Sequence, residues 1–264
     1  MNTMDLSKVN ALITGGSQGI GLGLAIRLLK AGSRVMITGR DPAKLQNAAE
    51  NYPGLLTWVN DISDPQQREL LASHVRKTMP GLNVLINNAG IQRRVSLAAD
   101  RAVWKETQTE IDTLFSAPVH LNHLLIPLIL SSVQPGLIIN VTSGGAYIPQ
   151  VFAPVYSSCK AAFHHYTLIL RHALSKVSCR VVELAPPAVR TDLAGPGLTH
   201  GAPLDEFCDA VFPKLFGGDD QVVGFGQTEH LDPSVSGRSV YRLFEESLSR
   251  FPVECYSETP VQHE

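Results

Sequence analysis

Short apolar runs alternate with longer stretches whose apolar residues recur at helical spacing. The runs fall at 9–14, 34–38, 55–59, 82–86, 136–141, 180–184 and 221–225. Helical patterns lie between them at 20–31, 64–79, 101–130, 155–176 and 236–250. Asp41-Pro42 opens a further helix: the aspartate can accept from free N–H groups, and the proline loses nothing at the first helical position. Strand–helix alternation predicts a parallel sheet covered on both faces, and near-continuous Val/Ile/Leu strands fit burial on both sides. The expected fold is therefore α/β: a single-domain, doubly wound parallel sheet of about seven strands. One connection, 186–219, is rich in Gly and Pro and too long for a simple loop, so it reads as a functional insert. Residues 227–264 form a C-terminal extension.

Composition narrows the function classes. Hydrophobic residues make up 44% of the 264 and charged residues 17%, too apolar and too balanced for a disordered chain. Lys plus Arg number 22 against 24 Asp plus Glu, a formal net charge of -2. There is no basic excess to meet a nucleic acid. The most apolar stretch, 121–130, is shorter than the ~20 residues of a membrane span and contains Asn122, His123 and Pro127, so no membrane association is expected. Cys159, Cys179, Cys208 and Cys255 form no CxxC pair, and the first ten residues lack the apolar core of a secretory signal. Free thiols in a reducing compartment, the cytoplasm, follow. No metal site is expected: His120 and His123 have no third ligand at suitable spacing.

The first strand runs into Thr14-Gly15-Gly16-Ser17-Gln18-Gly19-Ile20-Gly21. Glycines there allow a tight turn and close approach of a ligand, and the next helix aims free N–H groups at a phosphate. Dinucleotide-binding units that take NAD place an acid about 20 residues further on, against the ribose 2′-OH. Here that position is Gly39, followed by Arg40. A guanidinium suits a 2′-phosphate, so NADP(H) is favoured over NAD(H), with Asp41 read as a helix cap. Asp61, after the third run, is placed to meet the adenine amino group or to serve a turn.

Tyr156 and Lys160 are four residues apart and share a helix face. Ser143 precedes Tyr156 by thirteen residues. Carbonyl reduction creates an alkoxide that needs a proton donor. A free tyrosine, with a pKa of about 10, is a poor one, and a nearby ammonium lowers that value. In this order and at these intervals, Thr14-Gly15-x-x-x-Gly19-x-Gly21, Asn87-Asn88-Ala89-Gly90, Ser143 and Tyr156-x-x-x-Lys160 resemble the short-chain dehydrogenase/reductase family. The resemblance covers about residues 8–226 and implies a Rossmann fold. It also implies that the glycine turn, including Ser17 and Ile20, and Asn88, Ala89 and Gly90 flank the cofactor. By the same resemblance Ser143 orients the carbonyl and Tyr156 moves the proton. Lys160 holds the nicotinamide ribose and tunes Tyr156, and Val189 and Thr191 touch the carboxamide.

Two positions depart from the family pattern. The asparagine that anchors a proton-relay water in the long central helix is replaced by Leu114, with Asp112, Thr113 or Asn122 as candidate substitutes. Pro-Gly after the sixth strand is replaced by Pro186-Pro187, which stiffens the loop and removes a donor. Pocket walls are expected from 91–96, 144–152 and 193–216. Ile148, Val151, Phe152, Leu193, Phe207 and Phe212 would make them apolar. Arg93 and Arg94 read as a solvated pair, and His164, His165 and His172 as surface or interface residues. The resulting reading is an NADPH-dependent reductase acting on a ketone or imine of an apolar small molecule. The resemblance implies a homodimer or homotetramer built on helices 101–130 and 155–176. The alternative is a redox-impaired scaffold, kept for binding or cyclisation.

Overall fold

A computed structural model of the chain describes residues 4–194, 200–229 and 237–252. The seven apolar runs become β1 (Asn10–Ile13), β2 (Arg34–Gly39), β3 (Leu56–Val59), β4 (Val84–Asn87), β5 (Gly136–Val141), β6 (Cys179–Ala185) and β7 (Val222–Gly224). They pair in parallel, in the order β3-β2-β1-β4-β5-β6-β7. The chain starts mid-sheet, winds outward to β3, then returns beside β1 and winds to the other edge. β1 and β4 thus mark the switch point, where a crevice opens at the carboxyl ends of the strands.

The helices are α1 (Gly19–Lys30), α2 (Pro42–Asn51), α3 (Pro65–Thr78), α4 (Trp104–Ile111), α5 (Ala117–Ser131), α6 (Pro154–Ala173), α7 (Leu204–Gly217) and α8 (Gly237–Arg250). Side-chain alternation along the strands splits the core in two. Ile13, Ile37, Ile86, Ile139 and Leu184 pack with Leu24 and Leu28 of α1, Leu45 of α2 and Phe207 of α7. Leu12, Met36, Leu85, Ile138 and Val181 pack with Leu71 and Val75 of α3, Leu121 and Leu125 of α5 and Leu170 of α6. Each such side chain contributes about 1.5–3 kcal/mol by leaving water. On the α6 face, near the carboxyl ends, the apolar alternation gives way to buried Asn87, Asn140, Thr142 and Glu183. Asn87 Nδ2 donates to Asn122 Oδ1 at 3.0 Å and to Asn140 Oδ1 at 2.9 Å, and Asn140 Nδ2 donates to Thr167 Oγ1 at 2.9 Å.

Two elements differ from the sequence reading. The pattern at 101–130 is not one α-helix: a π-turn, Asp112–Ser116, separates α4 from α5, a local widening often found at functional sites. The 186–219 connection holds α7, whose Phe207, Val211 and Leu215 recur every four residues and are buried on the sheet. Pro213 and the flanking Gly and Pro residues mask that period. The run Trp104–Ser131 is long and apolar enough to cross a membrane by length and composition alone. Here its Leu121, Leu125 and Ile129 are buried in the core.

Candidate active site

β1 and β4 end side by side, and the loops after them are locked together. Asn88 Nδ2 donates to the Thr14 and Gly15 carbonyls at 2.9 and 3.0 Å. Thr14 Oγ1 accepts from the N–H groups of Asn88 and Ala89, both at 3.1 Å. Gly15 has φ 62° and Gly19 φ 56°, the left-handed region that glycine enters freely. A Cβ on Gly15 would lie 2.7 Å from Ala89 Cα, and one on Gly21 would lie 2.4 Å from Asn88 Nδ2. Gln18, at the start of α1, makes no side-chain cap. The first-turn N–H groups are therefore left for an anion in the crevice.

This crevice is a cavity of about 1340 Å³. It is lined by Gly15, Ser17, Gly19, Ile20, Arg40, Asp61, Asn88, Ala89, Gly90, Ser143, Tyr156, Lys160, Val189 and Thr191. Gly21 is the exception among the expected cofactor residues: it is buried against Asn88 and does not line the cavity. At the end of β2, Asp41 caps α2 by accepting from Ala43 N at 2.9 Å and Lys44 N at 3.2 Å. Lys44 lines the same corner as Arg40, its ammonium hydrogen-bonded to Gln18 Oε1. The sequence reading missed this second cation; its only signal is a lysine in the first turn after Arg40-Asp41-Pro42. Asp61 lines the cavity and also closes its own turn, accepting from Ser63 N at 2.9 Å and Ser63 Oγ at 2.7 Å.

Ser143, Tyr156 and Lys160 converge at the carboxyl end of β5. Ser143 Oγ accepts from Gly145 N at 3.0 Å, fixing the turn after the strand. Tyr156 is 5% exposed, and Ser143 lines the same wall of the crevice. Burial raises its pKa, and the nearby Ser143 hydroxyl opposes that rise. Lys160 Nζ lies 5.7 Å from the Tyr156 ring centroid and donates to Val141 O at 2.6 Å. Burial draws the Lys160 pKa down to about 8. A phenol flanked by a hydroxyl and an ammonium can deliver a proton to an oxygen held in the crevice.

The π-turn packs Leu114 onto Tyr156, Cys159 and Ala153. The three candidate substitutes for an asparagine at Leu114 are engaged elsewhere. Asp112 Oδ1 accepts from Gln108 Nε2 at 3.2 Å. Thr113 lines the cavity but its hydroxyl donates to Thr109 O at 2.7 Å, and Asn122 Oδ1 takes the Asn87 amide.

The substrate end corrects several expectations. Ile91, Arg94, Ile148, Phe152 and Leu193 line it. Phe207 and Phe212 do not: α7 turns them to the core that covers α1. Val151 is also absent from the lining, and residues 195–199 of the expected wall lie outside the described residues. α8 supplies Leu243, Glu246 and Arg250 instead, and Phe251 comes directly after them. Phe152 packs against Phe251 with ring centroids 4.6 Å apart and planes tilted by 51°, and carries the Arg94 guanidinium 4.2 Å above its ring. Arg93 is no solvated residue: it pairs with Asp100 at 2.7 Å and donates to Thr107 Oγ1 at 3.0 Å. His164 is not a surface residue either. It is 8% exposed, lines the cavity, and sets Nδ1 2.8 Å from Glu183 Oε2.

Known proteins bear on this geometry. The sequence model described as short chain dehydrogenase matches residues 9–199. An uncharacterized oxidoreductase, DltE, of Bacillus subtilis is 43% identical over 190 residues, which cover 72% of this chain and 75% of that protein. Serine 3-dehydrogenase of Agrobacterium fabrum is 30% identical over 182 residues, covering 69% and 72%. A short chain dehydrogenase from Burkholderia cenocepacia, solved in complex with NADP, superposes with a TM-score of 0.78 at 24% identity, over 91% of this chain and 99% of that one. The match over residues 9–199 and the identity to DltE make this chain a member of the short chain dehydrogenase family, whose members are nicotinamide-dependent oxidoreductases.

Proposed function

We propose that the protein is an NADPH-dependent reductase acting on a ketone or imine of an apolar small molecule, with Tyr156 as the proton donor. The observation that carries this reading is the buried Ser143–Tyr156–Lys160 unit facing the same crevice as the glycine turn. The residues present fit the cofactor. The cradle of Gly15 and Gly19 and the uncapped start of α1 suit a pyrophosphate, with Ser17 and Ile20 beside it. Arg40 and Lys44 together suit a 2′-phosphate, and Asp61 the adenine amino group. Asn88, Ala89 and Gly90 flank the cofactor, Lys160 holds the nicotinamide ribose, and Val189 and Thr191 meet the carboxamide. The NADP complex of the Burkholderia neighbour supports the same choice.

Bound NADPH supplies the hydride. Ser143 Oγ holds the substrate oxygen, Tyr156 Oη gives it a proton, and the Lys160 ammonium favours the phenolate left behind. Ile148, Phe152 and Leu193 would hold the apolar body of the substrate. Exposed Trp104, Leu130, Leu168 and Ile169 on α4, α5 and α6 support a homodimer or homotetramer through those helices. The buried thiols Cys159, Cys179 and Cys208, none in a disulfide, support a cytoplasmic protein.

The test follows NADPH absorbance against a panel of aryl ketones, diketones and cyclic imines, some bearing a carboxylate for Arg94. Turnover of at least one is expected, lost about 10²–10⁴-fold in Tyr156→Phe. A Tyr156→Phe variant as active as the parent, or NADH bound more tightly than NADPH, overturns the reading. Deuterated NADPH in a single turnover separates it from the redox-impaired scaffold, which would give no labelled product.

A further inference from the structure

Tyr156, Lys160 and His164 sit at i, i+4 and i+8 on one face of α6, all buried and all lining the cavity. The reductase reading uses the first two. The third is held by a cluster that reading leaves idle. Glu183 is fully buried on β6. Its Oε1 accepts from Thr142 Oγ1 at 2.6 Å and from Tyr147 Oη at 3.0 Å, and its Oε2 meets His164 Nδ1 at 2.8 Å. Burial first, and then Glu183, push the Tyr147 phenol far above its ordinary value, so it stays a donor. Accepting from Nδ1–H fixes the imidazole tautomer and leaves Nε2 as the ring nitrogen that can exchange protons.

The surroundings of Lys160 give this arrangement a task. Once Lys160 has returned a proton to Tyr156 it must itself be resupplied, and it is only 4% exposed. On one side it borders a small void, shared with Thr14, Asn87, Leu114 and Phe163, that is too small to admit a water, and Leu114 can neither donate nor accept. On the other side lies the cavity it shares with His164. The backbone ties the two groups together: Lys160 donates to Val141 O, and Thr142, the next residue, donates to Glu183. The groups facing His164 are Glu183 from β6, Tyr147 from the turn after β5, and Lys160 and His165 from α6. The His165 ring is 5.6 Å away. Arg171 acts on both Glu183 and Tyr147.

We propose that His164, aligned by Glu183, passes protons from cavity solvent to Lys160 and so to Tyr156; the idea rests on the reductase reading. In each turnover one proton enters from water at Nε2, reaches Lys160 Nζ through solvent in the cavity, and replaces the one that Tyr156 Oη gave to the substrate oxygen. No other bond is made or broken by His164. Glu183 is a positioning residue that acts through the imidazole.

The kinetic test uses the panel ketone turned over fastest. His164→Ala is expected to lower kcat about tenfold or more, with KM nearly unchanged, a larger solvent deuterium effect, and recovery on adding imidazole. Glu183→Gln should lower kcat and displace its pH profile. Wild-type kcat in His164→Ala, or a loss that imidazole does not repair, overturns the proposal. A second readout needs no turnover and no variant at His164. In ¹⁵N-histidine spectra of the cofactor-free protein, His164 should carry its proton on Nδ1, toward Glu183, and leave Nε2 bare; the opposite tautomer also overturns it. Failure of the reductase reading looks different: there, Tyr156→Phe keeps its turnover.

Discussion

Arg40 directly follows Gly39, which stands where an acid would hold a ribose 2′-hydroxyl, and Lys44 borders the same corner from the first turn of α2. Two cations in one exposed corner suit a phosphate rather than a neutral hydroxyl. A hydrogen bond to a charged group contributes about 1.5–3 kcal/mol. Arg40→Ala should therefore weaken NADPH binding by roughly tenfold to a hundredfold and NADH binding hardly at all, and Arg40→Asp should invert the preference. Fluorescence titration with both cofactors measures this; equal losses for the two would show that Arg40 touches no 2′-phosphate. Arg40 was legible because its offset from the glycine turn has a physical meaning. Lys44 was not, because its place depends on the direction in which α2 leaves the strand. His164 was misread for a related reason. Its partner lies 19 residues on, across α6 and β6, and a lone histidine beside a second one reads as surface.

Elements show the same division. All seven strands and α1, α2, α3 and α6 follow from period and caps: Asp41 and Asp64 cap α2 and α3 as side-chain acceptors, each ahead of a proline. The π-turn left no mark in the apolar period, since one extra residue in a turn only rotates α5 relative to α4. α7 was obscured by Pro213 and its glycine-rich flanks. The glycine turn was legible as a ligand loop, yet Gly21 has a different task from Gly15 and Gly19: it lets α1 lie directly against Asn88. A Cβ there would come 2.4 Å from Asn88 Nδ2 and 2.6 Å from Gly15 O, and neither backbone nor clamped amide can yield cheaply. Gly21→Ala should cost about 1–3 kcal/mol of stability, which for a domain of this size is a fall in melting temperature of about 2–12 °C. NADPH affinity should fall with it, because the turn and Asn88 move together. Gly81→Ala is the control, its Cβ meeting nothing closer than Asn10 Nδ2 at 3.6 Å. A Gly21→Ala protein that melts with the control would mean that the two loops are not locked.

At the scale of the molecule, the two cores enclose titratable groups with opposite preferences, and this sets how the protein meets alkali. Cys159, Cys179 and Cys208 are each pushed by burial up to about 11, whereas burial draws Lys160 down to about 8. For the thiols the folded state keeps protons that the unfolded chain releases. Their stabilisation is fully present below the ordinary thiol pKa and is lost as pH rises toward 11. For Lys160 the folded state gives up a proton that the unfolded chain still holds. Stability is gained from about pH 8 to about 10.5, on the order of 3 kcal/mol at most. Three groups oppose one across nearly the same window, so the urea midpoint should fall between pH 8.5 and 10.5. Cys179 touches no part of the candidate site, lying where β6 packs on Ile129 and Gly136. Cys179→Ala should therefore make the fall shallower, apart from any constant loss from the smaller side chain. Lys160→Met should make it steeper, because the one opposing group is gone. Urea unfolding of the three proteins at several pH values reads the slopes directly. Parallel curves for parent and Lys160→Met would show that the lysine is not held in a desolvated state. Its dependence on a solvent-borne proton supply through His164 would then lose its physical basis.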